Sequence, residues 1–350
     1  MAFLYLTEQG SILRKAGDRF LVEKDDEVIL DLPYHKLESV LLFGNIQVTT
    51  QALAELLEKG VNLSLFSRQG NFRGSLSPPR GSNIELRVAQ FELYKDAPRS
   101  LELAKSAIQA KLHNARAVLR RYRENSREVP ESYEARRGEI DRMAESVSGA
   151  SGISQLDGIE GAAARAYFDA LMDFNRSGLA WPGRVKHPST DPLNALLSLT
   201  YTLLMQELTG LLQGVGLDPY LGFLHQIDYG RPSLALDLIE PLRHPIADRL
   251  VLTLVNKDML DASDFQSTGE GKGVYLVSKQ MKTYLSEYER WMMQRQAAAG
   301  GAAPRPNFRD RLRAEVESFA AYLRSGKAFE PYLFDAPEQP HVADSEGNKS

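Results

Sequence analysis

The chain contains no cysteine. That absence excludes thiolate zinc sites, iron–sulfur clusters and a cysteine nucleophile, so any metal must be held by His, Asp, Glu or water. Nowhere do about 18 apolar residues follow one another, the length a membrane-crossing helix requires. The opening MAFLYLTEQG also lacks the basic region and cleavage site of a secretory signal. A cytoplasmic chain with no membrane partner is therefore expected. Several enzyme signatures are missing too: there is no GxxxxGK[ST] phosphate loop, no HExxH, no GxSxG and no GxGxxG after a strand. Nucleotide hydrolysis, zinc proteolysis and serine hydrolysis thereby lose their usual marks.

What is present is an ordinary globular composition. Of 350 residues, 43% are hydrophobic and 25% charged, enough chain for about two domains with a substantial core. The net charge of −4 argues against a surface that is basic throughout. Residues 99–128 depart from it: Arg99, Lys105, Lys111, Arg116, Arg120, Arg121, Arg123 and Arg127 stand against Glu102, Glu124 and Glu128. Within that stretch Arg116, Arg120 and Arg123 recur at i, i+4 and i+7, which aligns them on one side of a helix. Such a stripe is either a solvated face or a place for nucleic-acid phosphates.

The pattern predicts an α+β protein with a small N-terminal β-rich domain and a larger all-α domain. Residues 1–77 hold short runs rich in β-branched and aromatic residues (FLYL, SILRK, RFLVE, EVILDL, SVLLFG, NIQVT), separated by Gly, Asp and Pro. One helix, QALAELLEK, interrupts them, capped by Thr49 or Thr50 and stopped by Gly60. VNLSLF, the turn RQGN and FRGSL then read as a hairpin. Residues 78–83 are expected to form a linker and 84–334 a helical domain, with 335–350 a disordered tail because DAPEQPHVADSEGNKS has almost nothing to bury. Helices are expected over about Ile84–Tyr94, Arg99–Glu124 and Asp157–Asn175. Asp191 and Pro192 should cap an almost wholly apolar core helix, followed by helices through IADRLVLTLVNKDML, a pair near 276–297, and Phe308–Leu323.

Chemistry can reside at three places. Glu160 stands between two glycines in GIEGAAARAYF, His225 closes the apolar GFLH, and Asp237 and Glu240 lie three apart in LALDLIEP, so that a helix would aim both at one point. One imidazole with several carboxylates is a mixed N/O set suited to Mg²⁺ or Mn²⁺, an ion that neutralises phosphate charge and orients an oxygen nucleophile. Each residue also has a plainer role open to it. Asp157 and Glu160 have capping-box spacing, a histidine after an apolar run is commonly a hydrogen-bonded core residue, and His244 competes as a ligand.

Five segments, GIEGAAARAYF, DPLNALLSLTYTLL, GLDPYLGFLH, GRPSLALDLIE and ADRLVLTLVN, occur in this order behind a strand region containing LESVLLFGNIQVTTQAL and VNLSLFSRQGNF. Together they resemble the CRISPR-associated adaptation integrase and endonuclease family, Cas1, over about residues 1–330, in a form similar to type I-C-like members. The resemblance implies a metal-dependent enzyme that inserts captured DNA fragments into the CRISPR array by transesterification. It implies Glu160, His225 and Glu240 as ligands of Mg²⁺ or Mn²⁺, Asp237 as a second acidic position, and homodimerisation through the strand domain. It also implies double-stranded DNA, as captured fragment and as repeat, together with a small Cas2 partner dimer and a Cas4 nuclease as partners. Arg116, Arg120, Arg123, Arg184, Lys186 and His187 are the candidate DNA contacts, with Asn194 at a recurrent motif position where its amide could order the site, its loop or the helix start. Two positions depart from the family: Met205 stands where many relatives have Tyr, and Pro241 where many have Glu. A non-catalytic DNA-binding scaffold and a small-molecule metal-dependent phosphohydrolase are the alternative readings.

Overall fold

The computed structural model describes residues 2–78, 83–185, 188–267, 273–295 and 306–334. Its N-terminal part contains the strands β1 (Ala2–Leu6), β2 (Ile12–Ala16), β3 (Arg19–Lys24), β4 (Glu27–Pro33), β5 (Leu37–Phe43), β6 (Gln47–Val48), β7 (Asn62–Phe66) and β8 (Phe72–Leu76), with helix α1 (Thr50–Glu58) between β6 and β7. One sheet has the order β1-β5-β7-β8, its first three strands parallel and β8 closing the expected antiparallel hairpin on β7. The other has the order β4-β3-β2-β6. The hydroxyl of Thr49 accepts the Ala52 amide at 3.3 Å to start α1, and Gly60, at φ +76°, lies just beyond its end.

Strand β5 joins two cores because successive side chains leave a strand on opposite faces. Val40 and Leu42 pack with Leu13, Phe20, Val22, Ala52 and Leu56 in the N-terminal core. Leu41 and Phe43 pack with Phe66 and the helices. The N-terminal sheet is thus covered on both faces, which explains a strand as uniformly apolar as SVLLF.

The remainder is helical: α2 (Ile84–Lys95), α3 (Ala97–Glu124), α4 (Tyr133–Ser146), α5 (Ile153–Met172), α6 (Pro192–Val215), α7 (Ser233–Arg243), α8 (Arg249–Asn256), α9 (Ser278–Met293) and α10 (Phe308–Ser325). Asp191 caps α6 by accepting the Asn194 amide at 2.9 Å, and Gly216, at φ +95°, ends it. By length and composition α6 could cross a membrane, yet its apolar residues are core here: Leu193, Leu196, Leu197, Leu203, Leu204, Leu208 and Leu212 are fully buried.

Three local expectations change. The segment near 276–297 is one helix, α9, rather than a pair, and a short antiparallel ribbon, β9 (Phe265–Ser267) with β10 (Val274–Leu276), precedes it. Helix α4 is an addition to the expected set. Helix α5 begins at Ile153, so Asp157 and Glu160 sit inside it and form no capping box. The proposed tail lies outside the described residues, as do residues 79–82 of the linker.

Two contacts fix the sheets to the helices. Gly70, at φ +86°, turns the β7–β8 hairpin so close to α6 that a Cβ there would lie 2.4 Å from Leu199 Cδ1. Deeper in, the buried Arg309 of α10 reaches Glu207 of α6 at 3.1 Å and Glu289 of α9 at 2.7 Å, while its guanidinium carbon lies 3.7 Å from the ring centre of Phe3 in β1. An arginine can be buried this way because both carboxylates and an aromatic face receive it.

Candidate metal centre and nucleic-acid interface

The centre is built from α3, α5, α7 and the loop before α7. The loop approaches α7 at Gly222, where a Cβ would stand 2.4 Å from Oδ2 of Asp237, so only glycine fits. Just past it, the amides of Phe223, Leu224 and His225 all donate to the Asp237 carboxylate, at 2.6, 2.9 and 2.9 Å. His225 Nδ1 lies 2.6 Å from the same group. With Nδ1 engaged, Nε2 is left pointing at Glu240, 3.8 Å away. Asp237 is wholly buried and its oxygens are occupied. Expected from sequence as a second acidic position of the site, Asp237 is placed so that it orients the imidazole, as carboxylates behind metal-ligating histidines commonly do.

Glu240 lies one turn further along α7, and Arg243 a turn beyond approaches its Oε1 at 3.1 Å. From α5, Glu160 faces the same point. Between the two carboxylates lies Lys111 of α3, whose Nζ contacts Glu160 and stands 2.6 Å from Glu240 Oε2. That oxygen is buried and accepts no well-directed hydrogen bond. Two of the three predicted ligand residues thus meet at one lysine, with His225 beside Glu240, and in sequence that lysine is simply one cation of the basic stretch. A signal was available: Ala104, Ala107, Ile108, Lys111, Ala115 and Val118 fall on the buried side of α3, so Lys111 interrupts an apolar stripe.

The charges explain one another. Burial alone would raise the Glu240 pKa, but Arg243 and Lys111 outweigh it and hold the carboxyl far below the usual range. Lys111 holds Glu160 down in the same way against its own burial. Desolvation works against the Lys111 charge, yet Glu240 and Glu160 together raise its pKa above the ordinary lysine value. At neutral pH the centre therefore contains two carboxylates and two cations.

Prolines shape the ligand helix. Pro245 has no amide to offer the carbonyl four residues back, that of Pro241, and a π-helical turn, His244–Asp248, follows. The released Pro241 carbonyl accepts Asn114 Nδ2 of α3 at 2.6 Å. Asn114 also donates to the Tyr332 carbonyl at 2.8 Å and accepts the Phe334 amide at 2.7 Å. His244 lies in this turn, bonded through Nδ1 to Asp248 at 2.6 Å and packed against Tyr167. It does not point to the centre's carboxylates in any contact of the described residues.

As a donor set, two ionised carboxylates and an imidazole Nε2 freed by the Asp237 bond suit a hard divalent ion that keeps water ligands. Among the described residues no three His, Asp or Glu groups are already spaced as an ion cage. The set fits an ion provided that Lys111 yields its position between Glu160 and Glu240.

The candidate DNA contacts divide. Arg116, Arg120 and Arg123 line one cavity of about 310 Å³ with His113, Tyr133 and Arg137. Arg116 is paired with Asp141 at 3.0 Å and Arg123 faces Glu134 at 3.7 Å, while Arg120 is exposed. Arg184 turns inward, bonding Asn194 Oδ1 at 2.7 Å and covering the Tyr201 ring, whose centre Arg243 also approaches, at 5.2 Å. Asn194 is fully buried and donates to the Gly183 carbonyl and to Asp191. A side chain so enclosed cannot touch DNA; it orders the loop ahead of α6. Lys186 and His187 lie outside the described residues.

A strand-rich N-terminal unit is followed by a helical unit that gathers two glutamates and a histidine, the donor types of a divalent-metal enzyme. Residues 4–290 match the family model described as CRISPR associated protein Cas1, and the chain belongs to that family. It is 38% identical over 295 residues to a CRISPR-associated endonuclease Cas1 of Rhodospirillum rubrum, covering 82% of this chain and 85% of the relative. A Cas4 exonuclease/Cas1 endonuclease fusion of Geobacter sulfurreducens is 35% identical over 301 residues, covering 83% of this chain and 53% of the fusion. Among solved structures, a casposase bound to its integration product superposes with a TM-score of 0.81 at 22% identity, covering 98% and 97% of the two chains. A Cas1 protein from Thermotoga maritima gives 0.80 at 22%, covering 94% and 99%. The chain in a Cas6-RT-Cas1–Cas2 complex gives 0.79 at 21%, with 96% of this chain matching 36% of that one.

Proposed function

We propose that the protein is the divalent-metal-dependent DNA integrase and endonuclease of CRISPR adaptation. A 3′-hydroxyl at the end of a captured fragment attacks a backbone phosphodiester at the edge of a repeat; one phosphorus–oxygen bond forms as another breaks, so no nucleotide energy is required. Water in place of the hydroxyl gives strand cleavage. The reading rests on one observation: Glu160 and Glu240, from separate helices, both pair with the buried ammonium of Lys111, and Nε2 of His225, from the loop before α7, lies 3.8 Å from Glu240.

Glu160, Glu240 and Nε2 of His225 are the groups that hold Mg²⁺ or Mn²⁺. When bound, the ion supplies charge stabilisation at the phosphate and favours the oxygen nucleophile. Asp237 fixes the imidazole through Nδ1, and Arg243 keeps Glu240 ionised and aimed. Arg116, Arg120 and Arg123 meet phosphates on the approach, a contact that positions DNA without reading bases.

The form is type I-C-like, the strand domain joins two copies, and the enzyme works in the cytoplasm. Two such dimers flank a Cas2 dimer, with a Cas4 nuclease trimming fragment ends; the likeness to part of a chain in a Cas6-RT-Cas1–Cas2 complex and to a Cas4/Cas1 fusion supports these partners. The test is strand transfer by purified protein on branched duplex. Activity that requires Mn²⁺ or Mg²⁺ and disappears in Glu160→Ala and His225→Ala, with melting preserved, upholds the reading. Turnover of phosphate monoesters without any response to DNA length would overturn it.

A further inference from the structure

The loop between His225 and α7 carries an aromatic ring that the metal chemistry leaves unused. Tyr229 is fully exposed, and Ile227 on the same loop is more than half exposed. The backbone beneath the ring is nonetheless tied down. The Arg231 amide closes a turn onto the Asp228 carbonyl at 3.1 Å, the Tyr229 amide donates to the Asp228 side chain at 2.8 Å, and Gly230 takes φ +71°. At the base of the loop the Ser233 hydroxyl donates to the Gln226 carbonyl at 3.0 Å, and the His225 amide is held by Asp237. A large ring is therefore presented to solvent on a fixed turn.

Its distance from the chemistry is bounded. Tyr229 lies four positions after His225, a reach of at most about 14 Å even for extended chain. That is about four nucleotide steps of roughly 3.4 Å along one strand. Half-buried Arg231 lies two residues further along the same tied loop.

We propose that Tyr229 is a stacking platform for an unpaired nucleobase at the end of the DNA strand entering the centre, with Arg231 meeting a neighbouring phosphate. The inference rests on the DNA-processing function given above. A stable protein interface requires about 800 Å² from each partner, whereas a single ring among Gln226, Asp228 and Gly230 matches the face of a single base. Bases within a duplex are already stacked on one another, so the platform acts on splayed or frayed ends and is indifferent to sequence.

The test uses the full chain and duplexes with a short single-stranded 3′ extension carrying 2-aminopurine, compared with blunt duplexes. Wild-type protein quenches the 2-aminopurine on binding. Tyr229→Ala, with an unchanged melting temperature, loses the quench and binds the extended duplex about 5- to 100-fold more weakly while binding blunt duplex as before; Tyr229→Phe and Tyr229→Trp retain both properties. The proposal is overturned if wild-type binds the extended duplex without quenching, if Tyr229→Phe fails like Tyr229→Ala, or if Tyr229→Ala weakens both duplexes equally. It is also overturned if Tyr229→Ala keeps the quench but loses a protein partner. Wild-type protein that binds neither duplex would instead refute the DNA-processing function itself.

Discussion

The ammonium of Lys111 stands 2.6 Å from Glu240 Oε2 and also contacts Glu160, where the predicted metal ligands converge. A divalent ion held as proposed would compete with this built-in cation for the same two carboxylates. Lys111→Met removes the built-in cation and leaves buried Glu240 facing partly exposed Glu160 with Arg243 as the remaining nearby cation, at a cost of up to about 3–5 kcal/mol in stability without metal. Mn²⁺ should restore more of the melting temperature in Lys111→Met than it adds to wild-type protein. Equal Mn²⁺ shifts in the two proteins, measured by calorimetry, would show that the lysine and the ion do not share a place.

Asp237→Asn tests the orientation of the imidazole. The substitution preserves size but weakens the acceptor of three amides and of His225 Nδ1. Loss of a carboxylate behind a ligating histidine typically lowers metal affinity or activity by about 10- to 100-fold. Mn²⁺ titration of strand transfer should show the activation curve displaced to higher metal. An unmoved curve would mean that His225 is held by the loop alone. Gly222→Ala should give the same phenotype by pushing on the Asp237 carboxylate from the other side.

A pH effect arises away from the centre. Glu315 of α10 is buried, with Oε2 accepting the Tyr332 amide at 3.0 Å and Oε1 unpartnered. Burial pushes its carboxyl up to about 8, only partly offset by that amide. A pKa raised on folding contributes stability that is complete below the unfolded value, near 4.5, and is lost as pH rises through about 8. Urea unfolding at pH 5 and pH 9 should therefore show wild-type protein losing stability, by an amount on the order of a few kcal/mol, relative to Glu315→Gln. Parallel behaviour of the two proteins would contradict this assignment.

Arg309 offers a test of the seam between sheets and helices. Arg309→Met strands Glu207 and Glu289 beside each other and removes the cation from Phe3, for a loss of about 3–5 kcal/mol. Hydrogen exchange should quicken in β1 and α9 together. Faster exchange confined to α10 would mean that the seam is held by apolar packing alone.

Charge reversal at Arg116 and Arg120 addresses the DNA path. With both changed to Glu, affinity for duplex should fall and its salt dependence flatten, by a slope of about 0.9 for each phosphate no longer neutralised. Unchanged affinity and slope would leave the stripe as solvated surface whose cations serve Asp141 and its neighbours.

Much of the architecture is legible in the sequence because local signals and burial agree. Asp191 and Pro192 announce α6, Thr49 and Gly60 bracket α1, and the short runs rich in β-branched and aromatic residues mark the strands of residues 2–76. Helix α4 escapes because YEARRGEIDRMAES buries only Tyr133 and Ile140 and has no clear apolar face. At the centre, ordered motifs point to Glu160, His225 and Glu240. Lys111 lies 49 positions before Glu160, in a stretch whose other cations face outward, and only the packing of α3 on α5 and α7 gives it a partner. Sequence does not reveal burial, so it does not show that Asp237 gathers three loop amides beside the imidazole or that Asn194 holds the loop ahead of α6.

The carbonyl that Pro245 leaves without an amide has a far-reaching effect. Through Asn114 this carbonyl of Pro241, the residue after Glu240, is tied to residues 332 and 334, about ninety positions downstream. Alterations near Tyr332 can therefore re-aim a glutamate they never touch, and a chain trimmed short of that residue would keep every proposed ligand yet lose the brace that sets one of them at its angle.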